Sequence, residues 1–302
     1  MTVSICCITY NHEDYIRKSL ESFMMQKCAF SFEVLIHDDA SADGTQEIIK
    51  EFQEKYPDII KPIFQTENQY SKKIGSVNAK FNFPRAKGKY IALCEGDDYW
   101  TDPLKLQKQV DFLENNPDCS MVFTNAHVSI EDDGKKMNEA RGLFQFSESK
   151  FFKDFEILEN WVVPTASVLF RKKYLDENLK RINNLGNFLY GDIVLFLYLS
   201  TKGKLYGMND PMVVYRRHIG GVTNIKSSID FDTKYLSHLN LLINTFGNQL
   251  KTKKIRRILA KLLLSLSLYN FSKKAYFKSA KFMFRSINHD YKIIKTYLAN
   301  KL

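Results

Sequence analysis

One stretch limits the fold of this chain more than any other. Lys89-Tyr90-Ile91-Ala92-Leu93-Cys94 has the composition of a buried strand, and it runs straight into Glu95-Gly96-Asp97-Asp98-Tyr99-Trp100. Strand-forming residues do not continue through Glu-Gly-Asp-Asp, so the three acids fall at the carboxyl end of that strand. Open α/β sheets bind their ligands at this edge. Clustered carboxylates repel one another and are costly to bury unpaired, which makes a cation their natural partner. Oxygen ligands select a hard ion, Mg²⁺ or Mn²⁺, whose shell substrate phosphates commonly complete. The alternative is a solvated acidic turn ahead of the helix that Asp102-Pro103 starts.

The rest of the chain repeats this strand-then-helix plan. Val3 to Thr9 reads as a strand, with Asn11 as the N-cap of a helix bearing Tyr15, Ile16, Leu20 and Phe23 on one face. Glu33 to His37 is a second strand that ends in Asp38-Asp39, and Asp43 with Gln46 has the spacing of a capping box for the next helix. Ile59 to Thr66 reads as a strand, Ser76 to Ala86 as a helix, Pro103 to Leu113 as a helix and Met121 to Ile130 as a strand. Further strands are expected over Val162 to Phe170, Leu205 to Met208 and Met212 to Tyr215, with a helix from Asp192 to Leu199. The polar segment from Glu131 to Lys150 reads as a surface excursion. Alternation at this spacing predicts an α/β class with a mostly parallel central sheet flanked by helices.

Charge divides the chain in two. From Lys251 to Leu302 there are 14 Lys and Arg against one acid, Asp290, a net +13, which leaves −3 on the remainder of a chain whose total is +10. Apolar residues recur with helical period through Ile255, Leu259, Leu262 and Leu266, and again through Tyr276, Ala280, Met283 and Ile287. The expected division is therefore an α/β domain over 1–225 and a basic helical region over 226–302. Its stretch from 251 to 302 reads as a hairpin packed on the domain, as an element held against an anionic membrane surface, or as a nucleic-acid contact; no nucleic-acid motif accompanies the charge, so the last is not expected. The five cysteines (Cys6, Cys7, Cys28, Cys94, Cys119) lack Cys-x-x-Cys spacing and lie mostly in apolar runs. Free thiols and a first ten residues without a signal-like apolar core give a cytoplasmic expectation, with peripheral membrane contact through the tail.

Taken together, Thr9-Tyr10-Asn11, the run from Glu33 through Asp38-Asp39 to Thr45, Glu95-Gly96-Asp97-Asp98-Tyr99-Trp100, Gly191-Asp192 and Tyr215-Arg216-Arg217-His218 resemble the family 2 glycosyltransferases of the GT-A fold. The resemblance covers roughly residues 3 to 220 and implies inverting transfer of a sugar from a nucleoside diphosphate donor, UDP or dTDP favoured, to a hydroxyl on a glycan or lipid-linked acceptor in cell-surface polysaccharide synthesis. It implies that Thr9, Tyr10, Asn11, Asp38, Asp39, Glu95 and Asp97 bind the donor nucleotide, and that Asp97 and His218 hold Mn²⁺ or Mg²⁺. By the same resemblance Asp192 is the general base, although Gly191 stands where the family usually has Glu. Asp98, Trp100, Arg216 and Arg217 are candidates for the acceptor or the diphosphate, and Trp161 is a second aromatic candidate. A catalytically idle protein of the same fold, acting through its tail, is the alternative. Four acids at strand and helix ends argue against it, since an idle descendant has no physical need of them.

Overall fold

The computed structural model describes residues 1–72, 75–132, 135–140, 146–158, 162–184, 188–218, 221 and 229–299. Trp161 and the boundary expected near 225 lie outside them. Four short apolar runs form the parallel half of the sheet: β1 (Val3–Thr9), β2 (Phe32–Asp38), β3 (Ile60–Phe64) and β4 (Tyr90–Leu93), in the order β3-β2-β1-β4. β1, β2 and β4 are buried on both faces and follow the rule that successive side chains point to opposite sides, whereas β3, at the edge, leaves Lys61 exposed. In β4, Tyr90 and Ala92 enter one core while Ile91 and Leu93 enter the other.

Helices cover both faces. On the first lie α1 (Ile16–Met24), α2 (Thr45–Lys55) and α3 (Lys105–Asn115), which bury Leu20 and Phe23, Ile49 and Phe52, and Leu106 and Leu113. After α3 the chain enters β6 (Cys119–Asp132), having passed a two-residue β5 (Tyr99–Trp100); β7 (Lys135–Ala140) folds back on β6, and β8 (Lys150–Phe152) is antiparallel to β10 (Lys204–Arg217). The segment Glu131 to Lys150, read as a surface excursion, thus contributes a strand where it is described. The second face carries α5 (Gly191–Lys202), α6 (Ile229–Phe246) and α7 (Lys253–Ser272). Every residue from Ile193 to Leu199 is buried, so α5 is a core helix with no solvent stripe. A short α4 (Glu177–Asn183) is capped by Asp176, which accepts from the Leu179 N–H at 3.1 Å. The last helix, α8 (Tyr276–Ala299), packs on α7 and is broken at Asp290.

Beyond β4 the sheet becomes mixed, because β9 (Leu169–Arg171) inserts antiparallel between β4 and β6. Pro164 explains why the strand expected from Val162 starts only at Leu169: a residue without an N–H cannot join a central ladder, and Thr165–Ser167 forms a 3-10 turn instead. The two short strands expected after Leu205 are one, β10, with register shifts on either side of Pro211. The helix expected over Ser76 to Ala86 is a π turn (Asn78–Asn82) followed by a 3-10 turn (Phe83–Arg85) with Pro84 near its start. Its polar side chains serve the sheet: Asn82 donates to the Cys7 carbonyl at 3.0 Å and Arg85 to that of Ile36 at 2.9 Å.

Candidate functional site

The carboxyl ends of β2, β1 and β4 lie side by side. Thr9 pairs in register with Asp38, the Asp39 N–H donates to the Thr9 carbonyl at 2.9 Å, and the Gly96 N–H donates to the Ile8 carbonyl at 2.9 Å. The acids that follow β2 and β4 therefore lie at one edge, as the abrupt end of the apolar runs requires.

The loops after β1 and β2 are clasped together. Asn11 has φ +52, the left-handed region that Asn tolerates; its N–H donates to Ser41 Oγ and its Oδ1 accepts from the Ala42 N–H, each at 2.9 Å. Asn11 is thus a clasp between loops and not the cap of α1, which starts at Ile16 without a side-chain cap. The expected capping box is also replaced. Asp43 accepts from the Thr45 and Glu13 N–H groups at 3.0 and 3.1 Å, while Gln46 turns away and donates to Asp38 Oδ2 at 2.6 Å. Tyr10 stands exposed at the rim.

This clasp aims His12 into the edge. Its N–H donates to Thr45 Oγ1 at 2.8 Å, its Nδ1 lies 3.2 Å from Thr9 Oγ1, and its Nε2 is 4.0 Å from Asp97 Oδ2. From the end of β10, His218 brings its Nε2 to 3.0 Å from the same carboxylate oxygen. One donor atom each from His12, Asp97 and His218 lie within 4.8 Å of one another. Two imidazoles and a carboxylate converging from three elements suit a divalent cation. The possible donor set is two imidazole nitrogens and one carboxylate oxygen; it contains the expected Asp97 and His218 and adds His12. Burial pushes the Asp97 carboxyl up, but the His218 hydrogen bond and the two imidazole charges more than offset it and hold the group below its usual range. Burial pushes His12 down.

The neighbouring acids have different surroundings. Asp38 is fully buried; its Oδ2 accepts from Gln46 and Ser41, while Oδ1 is buried without a partner. An uncompensated carboxylate oxygen is expensive, and a ligand N–H would satisfy it. Asp39 instead uses both oxygens on the chain, accepting from the Gln69 and Tyr70 N–H groups at 2.7 and 2.9 Å, so it anchors the loop after β3. Burial, with Asp97 and Asp192 as further negative charges, raises Glu95 to about 8. Asp98 is raised well above the usual range by burial, then by Asp97 and Glu95; its Oδ1 accepts from the Arg216 N–H at 2.8 Å.

Arg216 is buried, donates from Nη1 to the Asp97 carbonyl at 2.6 Å and lies over the rings of Tyr99 and Tyr15 at 4.5 and 5.3 Å. It fastens the acidic loop to β10. Arg217, next to it, is half-buried. Trp100 is core and not an acceptor platform: it is 1% exposed, its Nε1 donates to the Ala166 carbonyl at 2.8 Å, and Lys105 Nζ sits 4.2 Å above its ring.

Asp192 opens the first turn of α5. Its Oδ2 accepts from Thr165 Oγ1 at 2.9 Å and its Oδ1 from the Ile193 N–H at 2.8 Å, and burial raises its carboxyl. The apolar cavity beside it is lined by Val163, Ile193, Phe196 and Tyr235. Sequence reading missed His12 and Thr165. His12 had a visible signal, since it directly follows Thr9-Tyr10-Asn11. Thr165 had none, because its partner lies 27 residues away.

A mixed sheet with acids gathered at the carboxyl edge of its parallel half and a His-Asp-His cluster beside them defines a protein of the GT-A class. The chain belongs to glycosyl transferase family 2, which matches residues 4–179. An uncharacterised protein of Mycobacterium tuberculosis is 37% identical over 225 residues; the match takes in 73% of this chain and 60% of that protein, so this chain spans less than two thirds of that relative's length. The putative teichuronic acid biosynthesis glycosyltransferase TuaG of Bacillus subtilis is 28% identical over 215 residues, 71% of this chain and 78% of the relative. Among solved structures, S. aureus TarS in complex with UDP-GlcNAc superposes with a TM-score of 0.61 at 18% identity, over 95% of this chain and 79% of TarS, a likeness of fold.

Proposed function

We propose that this protein transfers a sugar from a nucleoside diphosphate donor to a hydroxyl of a glycan or lipid-linked acceptor, with inversion, in the synthesis of a cell-surface polysaccharide. The observation that carries the reading is the convergence of His12, Asp97 and His218 at the sheet's carboxyl edge, where Asp38 keeps a partnerless oxygen. The similarity to TuaG, a teichuronic acid biosynthesis glycosyltransferase by name, supports the polysaccharide assignment. Five free cysteines, four of them buried, fit a reducing cytoplasm. Among the described residues no helix is long and apolar enough to cross a membrane.

Each residue then has a task. Asp38 Oδ1 accepts the N–H of a uracil or thymine ring, a pairing that would compensate its burial. Thr9 and Asn11 shape that pocket through the clasp they share with the β2 loop, and Tyr10 closes its rim. His12, Asp97 and His218 would hold Mn²⁺ or Mg²⁺, which when bound supplies positive charge to the departing diphosphate. Asp192 accepts the proton of the acceptor hydroxyl as its oxygen bonds to the anomeric carbon, while the bond to the diphosphate breaks and its electron pair leaves with the nucleotide. Burial makes Asp192 a stronger base than a surface carboxylate, and Thr165 fixes its orientation. Displacement from the face opposite the leaving group inverts the anomeric centre, as in inverting hydrolysis.

A thermal-shift screen of UDP-, dTDP- and GDP-sugars, with Mn²⁺ and with chelator, tests the reading. Stabilisation by a uracil or thymine donor that depends on Mn²⁺ is expected. No shift with any nucleotide, with or without metal, would remove it.

A further inference from the structure

The surface of the C-terminal hairpin is not that of a helix pair finished by its own packing. The α7–α8 contact joins an apolar cluster of Ala260, Leu264 and Ile293, with Met283 against it, to small polar residues: Ser267 Oγ donates to the Ser279 carbonyl at 2.8 Å, and Ser286 Oγ to that of Ala260 at 2.7 Å. Ser279 and Ser286, seven residues apart, mark the buried face of α8. The opposite face is outward, and further large apolar residues stand exposed there. Phe277 is 86% exposed, Phe284 65%, Tyr276 59% and Ile287 43%. Tyr276, Ala280, Phe284 and Ile287 follow one another at steps of four, four and three, a continuous stripe with Phe277 along its flank. Lys278, Lys281 and Arg285, at steps of three and four, form a parallel stripe beside it.

The same character continues round the turn. Phe271, at the end of α7, is 61% exposed and meets Tyr276 edge to face at 5.6 Å, while Lys273 Nζ lies 5.8 Å from the Tyr269 ring. Lys274 takes φ +58, the left-handed position of a helix stop where glycine is usual, so a cation stands at the tip of the hairpin. The tail from Lys251 holds 14 basic residues and the single acid Asp290.

From these observations we infer that the outer face of the α7–α8 hairpin, with Phe277 and Phe284 as its inserting residues and Lys278, Lys281 and Arg285 beside them, binds the surface of an anionic membrane. Exposed rings on a folded surface carry a hydration cost that entry into the acyl boundary removes. Lysines alongside them meet lipid phosphates at headgroup level, and charge of one sign excludes a partner that is not acidic. An acidic protein groove would accept the lysines, but a ring as exposed as Phe277 on a convex helix needs a medium that deforms around it. The inference is independent of the sugar-transfer reading, because nothing in it involves the sheet edge.

The test is co-sedimentation of the full chain with vesicles of phosphatidylcholine alone or with phosphatidylglycerol, at low and high salt. Binding is expected only with phosphatidylglycerol and should weaken as salt shortens the Debye length from about 14 Å at 0.05 M toward about 4 Å at 0.5 M. The double variants Phe277→Ser/Phe284→Ser and Lys278→Glu/Lys281→Glu should each lower partitioning by about tenfold or more while thermal unfolding and nucleotide binding stay unchanged. In Phe277→Trp, brominated acyl chains should quench the emission of the introduced indole. Wild-type binding that both double variants retain, absence of binding to anionic vesicles, or no quenching of the introduced indole would overturn the inference. So would a concentration-dependent dimer, without lipid, that the Ser variant abolishes, since a second copy would then cover this face.

Discussion

Replacing Gly96 by Ala tests how tightly the acidic loop is fitted to the end of β1. A methyl at this position would come 2.5 Å from Thr9 Oγ1, 2.7 Å from Thr9 Cβ and 3.0 Å from Ile16 Cδ1. Carbon atoms pack comfortably at about 3.5–4.0 Å, so the loop or Thr9 must shift by roughly 1 Å. Neither shift is easy. Thr9 is 1% exposed and contacts the His12 ring, and the Gly96 N–H and carbonyl are both engaged, with Ile8 at 2.9 Å and Ser19 Oγ at 2.8 Å. Overpacking of this kind costs about 1–3 kcal/mol. At about 2.1 cal/mol/K of unfolding entropy per residue, a chain of this size should lose about 2–5 °C in Tm. The displaced groups, Thr9 with its contact to His12 and Gly96 next to Asp97, adjoin two of the three proposed cation ligands, so Mn²⁺ affinity should fall together with stability. Scanning calorimetry and Mn²⁺ titration of the variant read both quantities. An unchanged Tm with unchanged Mn²⁺ affinity would refute the argument that glycine is needed here to seat Asp97.

Three further changes probe other parts of the account. Asp192→Asn should lower transfer by about 100-fold or more with nucleotide affinity retained, because a proton acceptor for the incoming hydroxyl contributes little to donor binding; steady-state kinetics and titration of the donor check this. His238, 2% exposed on α6, accepts from the Leu189 N–H at 3.2 Å, and burial pushes it down to about 4. The unfolded chain then takes up a proton that the native protein refuses, so this stabilisation is complete above about pH 6.5 and is lost as pH falls toward 4, at most about 3 kcal/mol. In His238→Asn the difference from wild type in unfolding free energy should vary with pH across that window, and parallel curves would dismiss the cause. Lys274→Gly should raise thermal stability by about 0.5–1 kcal/mol, as the helix stop sheds a left-handed Lys, whereas a lower Tm would show that Lys274 is held by contacts that outweigh its backbone.

The parts of this fold that sequence reveals are those set by local rules. The runs of β1, β2 and β4 were legible because a strand buried on both faces must be apolar throughout, and the acids that end them were legible because such runs cannot contain them. α5 could be anticipated from Asp192 onward, although its burial on all sides hides any amphipathic period. The departures share one cause, the pull of distant partners. Gln46 abandons the capping box for Asp38, Asn11 leaves the start of α1 for the Ala42 N–H, and Asn82 trades a helix for the Cys7 carbonyl. The site divides likewise. Asp97 and His218 are visible through motif order, yet His12 joins them only because the loop clasp turns it inward, and Thr165 reaches Asp192 only after Pro164 has stopped the strand. Trp100 shows the opposite error: an aromatic beside an acidic motif suggests a sugar platform, but the buried Lys105 and the Ala166 carbonyl account for it as core.

The central claim is that His12, Asp97 and His218 hold one divalent cation that links the protein to a nucleoside diphosphate. Calorimetric titration of UDP and dTDP into the wild-type protein and into Asp97→Ala, each with Mn²⁺ and with chelator, tests it most directly. Mn²⁺ should strengthen nucleotide binding to the wild type, and Asp97→Ala, folded by its circular dichroism, should bind with the same weak affinity in both conditions. Equal strengthening by Mn²⁺ in the variant, or wild-type binding indifferent to Mn²⁺, would contradict it.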